Sequence, residues 1–413
     1  MRSSLSNRFS ALENPLYRRY WFGSMASVGA SQLMVVGQAW LVFDLSQSAL
    51  MLGVLGAAAS LPTIVVSLFG GALADQMDKR KIIIATSLVN ALLMLLLAAL
   101  IYTETVSVWH IILIAGVSSF VSGLDWPCRQ AFFPLLVEKK EMLSAVALNS
   151  ILWQATRMAL PAAGGILLAY YSPGLVFVLC SAGFLLMVPA LVKITYEHQP
   201  GHSTDSTFVQ IKEGFVFITE QKLFLILILL TYTSMFFGMS YMSLLPAFSS
   251  LLSLGPKGYG FLMAATGIGS VLGTFATGYI DRTKPAGNIM IAASAAAGFF
   301  IYLLCALTVM AEGLPYSGWV VGFVILCASL LNSVFVLSAM TTLQLNVPDK
   351  LRGRVMGIHS LCYSLMPLGS LFLGGLATWV GVPGAVATGI TVYLVFLMAI
   401  WLFREEVQQI HLT

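Results

Sequence analysis

Twelve apolar stretches, each long enough for a helix to cross a bilayer, constrain this chain more than any other feature of its sequence. A membrane-spanning helix needs roughly 20 apolar residues, and segments of that kind follow one another along nearly the whole chain. Charged residues make up 9% of the chain, against roughly 25% in soluble proteins. The sequence therefore predicts an all-α membrane protein with twelve transmembrane helices.

The predicted spans form two groups of six around a polar linker. They cover 20–43, 49–74, 82–102, 108–132, 144–170 and 174–192, and then 223–247, 259–280, 288–310, 318–343, 355–379 and 385–403. The linker starts with the run EHQPGHSTDS, which is typical of a solvated loop. We therefore predict a six-helix half over 1–192, a cytoplasmic linker over 193–222 and a second six-helix half over 223–413.

The second part of the linker has the pattern of an amphipathic helix lying along the cytoplasmic membrane surface. Helical spacing would place four apolar side chains on one face, those of Phe208, Ile211, Phe215 and Ile218. Lys212 and Glu213 would lie on the opposite face. The simplest interpretation is a linker helix without a specific partner.

A short turn between the second and third spans recurs half a chain length later. The first copy reads GGALADQMDKRK and contains Asp75. The second copy has Asp281, Arg282 and Lys284 after a glycine. Such a repeat indicates two copies of one membrane unit, as in transporters that are built from parallel repeats.

The basic residues set the orientation of the chain in the membrane. Placing both termini in the cytoplasm puts every lysine and arginine inside except Lys257, which lies outside, and Arg157, which lies within a span. This is the arrangement that the positive-inside rule favours. The net charge of +4 is thereby explained by topology, and no nucleic-acid partner is indicated because the bases are dispersed at helix ends.

The sequence offers little support for a metal site, a cofactor or an enzyme. All five cysteines fall inside apolar segments without CxxC or Cys/His spacing. No HExxH motif or nucleophile elbow occurs, and the run GIGSVLG lies inside a span, where Gly269 and Gly273 are spaced as a helix-packing pair. We therefore predict no metal, no cofactor and no catalytic residues.

The first turn resembles the signature of the major facilitator superfamily, in which a glycine, an apolar stretch, an aspartate and basic residues follow the second helix. The matching residues are Gly71, Leu73, Asp75, Lys79, Arg80 and Lys81. Asp78 departs from the signature, which has glycine there. The runs QAWLVFDLSQSALMLG, DWPCRQAFFPLLV and LQLNVPDKLRGRVMG are similar to the branch that includes the enterobactin exporter and the macrolide efflux proteins. The resemblance implies the major facilitator fold in a bacterial-type cytoplasmic (inner) membrane.

The resemblance also implies that the first turn is a conformational latch. Gly71 would let a neighbouring helix approach the end of the second span closely. Asp75 would meet the N-terminus of the eleventh span, near Val355, when the cytoplasmic side is closed, because unpaired N–H groups there favour a negative charge. Breaking this contact would favour the inward-open state.

A second part of the implied latch involves the cytoplasmic end of the fourth span. The family pattern pairs Lys79 or Arg80 with an acid there, and Asp125 is the candidate, four residues before Arg129. A pair between Asp125 and Arg157 is also open, since the two residues lie at similar depth on either side of a hairpin. We favour the cytoplasmic pairing.

Arg157 is a charge in the middle of the fifth span, where it would cost about 2.5–3.5 kcal/mol in lipid. It should therefore face protein or a water-filled cavity, in which an anionic substrate group would offset the cost. The run with Pro161, Gly164 and Gly165 resembles a pattern in the fifth helix of drug and proton antiporters, although Leu160 replaces the usual glycine. Proline removes a helix hydrogen bond, which predicts a kinked fifth helix.

Polar and aromatic residues within the spans are candidates for a central cavity that binds substrate and protons. The set is Gln38, Trp153, Gln154, Arg157, Asn332, His359 and Tyr363. Of these, His359 is the candidate proton carrier, although a lone histidine inside a span is more often a packing residue.

These features together predict a monomeric secondary transporter that works by alternating access. We expect proton-coupled export of a medium-sized organic compound, either a siderophore-like metabolite or an amphipathic drug. A lipid or lysolipid flippase on the same fold is the main alternative, and a membrane enzyme or a channel is less well supported. The lipid bilayer and protons are the other expected partners.

Overall fold

The computed structural model describes residues 10–76, 78–194, 207–279, 286–310, 317–348 and 351–403. All regular structure in these ranges is helical, as the sequence predicts. The helices are α1 (Pro15–Ser46), α2 (Ala49–Gln76), α3 (Lys79–Tyr102), α4 (Val108–Phe132), α5 (Met142–Tyr170), α6 (Pro173–Val192), α7 (Thr207–Glu220), α8 (Lys222–Thr233), α9 (Leu245–Leu251), α10 (Gly255–Gly278), α11 (Ala286–Met310), α12 (Ser317–Asn346), α13 (Arg352–Ser360) and α14 (Cys362–Phe403).

The apolar composition of these helices fits a multi-pass membrane protein. Within the described ranges, ten helical segments are long and apolar enough to cross a membrane. The helix α5, which carries Arg157, is not among the ten, and the segment Arg354–Leu402 counts as one although Gly381 interrupts it with φ 74° and ψ 166°. Glycine adopts this conformation without the steric cost that a side chain would add.

The chain divides into two compact units. The first comprises Met1–Ser46 and Ala58–Ser203, and the second comprises Gln47–Ala57 and Thr204–Thr413. In the first unit, α1 packs against α5 and α6, and α3 packs against α4 and α6. Small residues allow this close packing, since a Cβ atom at Gly183 would lie 2.8 Å from the carbonyl oxygen of Ala26.

In the second unit, α12 packs against both α10 and α11. A Cβ atom at Gly269 would lie 2.3 Å from the carbonyl oxygen of Leu326, and one at Gly273 would lie 2.3 Å from that of Leu330. These two glycines therefore bring the backbones of α10 and α12 together, which confirms the predicted packing pair.

The seventh predicted span, 223–247, is not one continuous helix. It is divided into α8, a π-helical turn at Ser234–Gly238, a 3-10 turn at Ser240–Leu244 and α9. The interruption lies where α14 crosses this segment, because a Cβ atom at Gly369 would be 1.9 Å from the carbonyl oxygen of Phe236. π-helical turns inside helices occur frequently at functional sites.

The linker helix α7 packs on α13, so the prediction of a helix without a partner is wrong. Glu213 forms an ion pair with Arg354, and a Cβ atom at Gly214 would lie 3.1 Å from Cβ of Arg354. On the predicted apolar face, Ile218 is buried at 3% exposure and Phe215 is 60% exposed, and the side chains of Phe208 and Ile211 lie outside the described part of the structure. Helix contacts at Gly214 set the rotation of α7, which the apolar spacing alone did not reveal.

Candidate functional site

A buried ion pair at one end of α4 is the centre of a polar network that joins three helices of the first unit. Asp125 and Arg129 form this pair, and their side chains are 18% and 10% exposed. The hydroxyl of Thr86 on α3 donates to Oδ1 of Asp125 at 2.6 Å. Nη1 of Arg129 donates to the hydroxyl of Ser27 on α1 at 3.0 Å.

This arrangement corrects the predicted pairing of Asp125. Arg80 donates instead to the carbonyl oxygen of Ile194 at 2.7 Å, and Lys79 is buried at 7% exposure. Neither base pairs with Asp125, and Arg157 does not pair with it either. The reason is geometric, since Arg129 lies one helical turn from Asp125 on the same face of α4.

Asp78, which departs from the family signature, is the N-cap of α3. Its Oδ1 accepts hydrogen bonds from the backbone N–H groups of Arg80 at 3.0 Å and Lys81 at 3.4 Å. These groups lack partners within the helix, so the side chain satisfies them. Glycine is also favoured at N-caps. This explains how either the aspartate of this chain or the glycine of the family signature fits the position.

The side chains of the remaining latch residues lie outside the described part of the structure. Gly71 and Asp75 lie on α2, in the stretch 67–76 whose side chains fall outside the described part of the structure. Asp281, Arg282 and Lys284 lie outside the described residues altogether. Their roles stay predictions.

Arg157 projects from a face of α5 that the first unit leaves uncovered. It is exposed, as are Val146 and Ser150 on the same helical face, whereas Leu152 and Thr156 are buried. Its guanidinium has no ion pair with any residue that the structure describes. Five N–H donors in a planar fork are thereby available for a carboxylate or phosphate group.

The antiporter-like run in α5 lies where this helix meets α1. A Cβ atom at Gly164 would be 3.2 Å from side-chain carbons of both Leu33 and Val36. Pro161 and Gly165 are buried as well, and α5 continues as one helix through the proline. The run therefore supplies a close contact between α5 and α1. Arg157 lies on the N-terminal side of this contact.

The other cavity candidates in the first unit have different environments. Gln38 is 3% exposed, and its Nε2 atom has no hydrogen-bond partner among the described residues. Trp153 stacks edge-on against Trp126, with ring centroids 4.9 Å apart, and Gln154 is partly exposed on the same helix. Trp153 and Gln154 are both partly exposed and lie about one helical turn from Arg157 on α5, so both can contribute to its uncovered side.

In the second unit, Asn332 belongs to a buried polar cluster beside the π-helical turn. Ser234, the first residue of the turn, donates to Oδ1 of Asn332 at 3.3 Å. Nearby, the hydroxyls of Ser294 on α11 and Tyr393 on α14 are hydrogen-bonded to each other, and the ring of Tyr393 also lies beside Gly238. The cluster thus surrounds the break in the span from three neighbouring helices.

His359 and Tyr363 lie close together in sequence but in different environments. His359 is 2% exposed, and its Nε2 atom has no hydrogen-bond partner among the described residues. The preceding carbonyl oxygen, that of Ile358, accepts a hydrogen bond from the hydroxyl of Tyr232. Tyr363 is 54% exposed.

Several residues of these networks were not among the sequence predictions. They are Ser27, Thr86, Ser234, Ser294 and Tyr393. Serine, threonine and tyrosine are common in membrane helices, where hydroxyls can bond to the preceding turn. No sequence spacing therefore distinguishes the ones that bridge helices.

Comparison with known proteins identifies relatives over most of the chain. The sequence matches the family described as transmembrane secretion effector over residues 6–411. A staphyloferrin A transporter of Staphylococcus aureus (strain NCTC 8325 / PS 47) is 26% identical over 348 residues, covering 82% of this chain and 83% of the relative. Macrolide efflux protein A of Streptococcus pyogenes is 23% identical over 369 residues, covering 88% and 89%.

A solved structure supports the same fold. The crystal structure of the nucleoside transporter NupG superposes with a TM-score of 0.74 at 11% identity, covering 95% of this chain and 98% of that one. At this identity the likeness concerns the fold alone.

The predicted resemblance to the major facilitator superfamily is confirmed by the family match and by these relatives. The chain is a multi-pass membrane transporter and not an enzyme. It belongs to the transmembrane secretion effector family of the major facilitator superfamily.

Proposed function

We propose that this transporter exports a medium-sized organic compound by alternating access, in exchange for protons. Twelve transmembrane helices would form two six-helix halves, 1–192 and 223–413, joined by the linker 193–222. The broken segment around Gly381 would supply the last two spans, and α5 would be a further span despite its charge. Both termini would lie in the cytoplasm, and the membrane would be a bacterial inner membrane.

The observation that carries the substrate proposal is the uncovered guanidinium of Arg157. A charge in a membrane helix is costly unless it faces protein, water or a counter-charge. Arg157 has no described ion pair, so a substrate carboxylate or catecholate would offset that cost. The partly exposed Gln154, about one turn away, would add an amide donor and acceptor to the same surface.

The names of two relatives correspond to the two expected substrate types, a siderophore-like metabolite and an amphipathic drug. One carries the name of a staphyloferrin A transporter and another that of a macrolide efflux protein. We propose a medium-sized substrate that bears acidic groups, since these would pair with Arg157, and this favours a siderophore-like metabolite over a neutral drug.

Proton coupling requires a titratable group whose protonation alternates with substrate binding. We propose His359 for this role, because its buried Nε2 lacks a described partner and an imidazole nitrogen can bind and release a proton. Gln38, Asn332 and Tyr363 remain proposed cavity residues.

We further propose that Asp75 latches the closed cytoplasmic side by meeting the first turn of α13, near Val355. In the second unit this turn is held in place by the ion pair of Arg354 with Glu213, so the N-terminus of α13 is a fixed target. Asp281 with its neighbouring bases would be a weaker counterpart.

Binding to purified protein tests the proposed role of Arg157. A panel of carboxylate-bearing and catecholate-bearing siderophores is titrated into wild type, Arg157→Gln, Arg157→Lys and the control Lys139→Gln, which removes a charge from an exposed turn. We expect Arg157→Gln to weaken binding of acidic compounds by at least about ten-fold, since charged hydrogen bonds contribute roughly 1.5–3 kcal/mol, and Arg157→Lys to weaken it less. Unchanged binding with intact thermal stability would contradict the proposal.

A further inference from the structure

A groove outside the networks described above runs between the first turns of α1 and the last turns of α6. Its volume is about 420 Å³, and all of its lining residues belong to the first unit. Because α1 begins at Pro15 and α6 ends at Val192, the mouth of the groove lies at one end of both helices. In a membrane, this is the level of the lipid headgroups.

Three cations surround the mouth of the groove: Arg18, Arg19 and Lys193. All three are exposed. Nη1 of Arg19 donates to the carbonyl oxygen of Lys193 at 3.3 Å, which joins the two helix ends. Neither Arg18 nor Lys193 forms an ion pair within the described residues, in contrast to Arg129.

Below the cations, the groove has an apolar wall. Phe22 and Leu186 stand on its sides and are 52% and 58% exposed. Its floor is made of small residues, among them Ala26 and Ala190. The helices touch at Gly23, where a Cβ atom would lie 2.8 Å from Cβ of Ala190, so small side chains bring α1 and α6 together at the floor of the groove.

We propose that this groove is a binding site for an anionic glycerophospholipid. The phosphate would lie among Arg18, Arg19 and Lys193, and one acyl chain would extend along Phe22 and Leu186. The cations at the helix ends match the negative charge of the lipid headgroup. The apolar groove between the helices matches the acyl chain. A free phosphate would leave the apolar wall unused. The site does not depend on the transported substrate or on proton coupling.

Native mass spectrometry of the full-length protein in detergent tests the site. Dioleoyl phosphatidylglycerol is compared with dioleoyl phosphatidylcholine, which has the same chains but no net charge. The variant Arg18→Gln/Lys193→Gln keeps Arg19 and its contact with the end of α6. The control Lys139→Gln/Lys140→Gln removes the same charge from another exposed turn.

We expect wild type and control to retain the anionic lipid in preference to the neutral one. Each lost charge should weaken retention of the anionic lipid about 5-fold, so the groove variant should lose most of this preference. Equal retention of the two lipids by wild type, or an equal loss in the control, would overturn the proposal.

A second variant separates a groove from diffuse surface charge. Ala26→Leu keeps all three cations and fills the floor of the groove. We expect it to lower retention of the anionic lipid while leaving the weak binding of glycerol phosphate, which lacks acyl chains, unchanged. Full retention of the lipid by this variant would show that the apolar groove takes no part and would overturn the proposal.

Discussion

The hydroxyl of Thr86 donates a hydrogen bond of 2.6 Å to Asp125 on the neighbouring helix. The other oxygen of the same carboxylate pairs with Arg129, which in turn donates to Ser27 on α1. The carboxylate of Asp125 therefore links α4 directly to α3. Through Arg129 it also links α4 to α1. Each charged or polar group of the network depends on the others for a partner, so single substitutions should be more harmful than combined ones.

Substitution of Asp125 should destabilise the first unit. Asp125→Asn leaves the mostly buried Arg129 without its counter-charge, which typically costs about 3–5 kcal/mol. The double variant Asp125→Asn/Arg129→Gln removes both charges and should recover part of that loss. Thermal unfolding of the purified protein in detergent measures the effect. Strictly additive losses in the double variant would show that the two side chains do not act as a pair.

Substitution of Asp78 should follow the rules for an N-cap. Asp78→Ala should lower the free energy of unfolding by about 1 kcal/mol, Asp78→Gly by a few tenths, and Asp78→Ser should be almost neutral. Chemical denaturation, monitored by the loss of α-helical circular dichroism, gives this ranking. If glycine proved as harmful as alanine, the acid would have a role beyond the cap.

Two glycines on α14 offer a matched test of the broken span. Gly369→Ala places a Cβ atom against the carbonyl oxygen of Phe236, at 1.9 Å before any adjustment, whereas the nearest atom to a Cβ at Gly375 is 4.0 Å away. We expect Gly369→Ala to cost about 1–3 kcal/mol or more and Gly375→Ala to be neutral or stabilising. Similar melting temperatures for the two variants would contradict the close crossing of α14 at the π-helical turn.

The helical architecture could be predicted from the sequence because bilayer thickness fixes the length of an apolar span. Most span limits agree with the helix ends within a few residues, and turn residues such as Asp78 and Ser172 mark several of them. The break in the seventh span was missed, since its cause is the close approach of Gly369, which is distant in sequence.

The candidate site was less predictable, because it depends on helix rotation. The sequence indicated that Arg157 needed a special environment, because a charge in a membrane helix is costly. It did not show that Asp125 would pair with Arg129 on its own helix or that α7 would dock on α13 through Glu213. Both results follow from side-chain directions that the hydrophobic pattern does not encode.

Proton-driven export of an acidic compound is the central claim, and transport in inside-out proteoliposomes tests it most directly. The tightest acidic ligand from the binding panel is added outside, with the lumen either more acidic than the exterior or at the same pH. The account predicts accumulation of the ligand only with the acidic lumen, retained in Lys139→Gln and lost in Arg157→Gln. Accumulation that is the same with and without the pH gradient would contradict it.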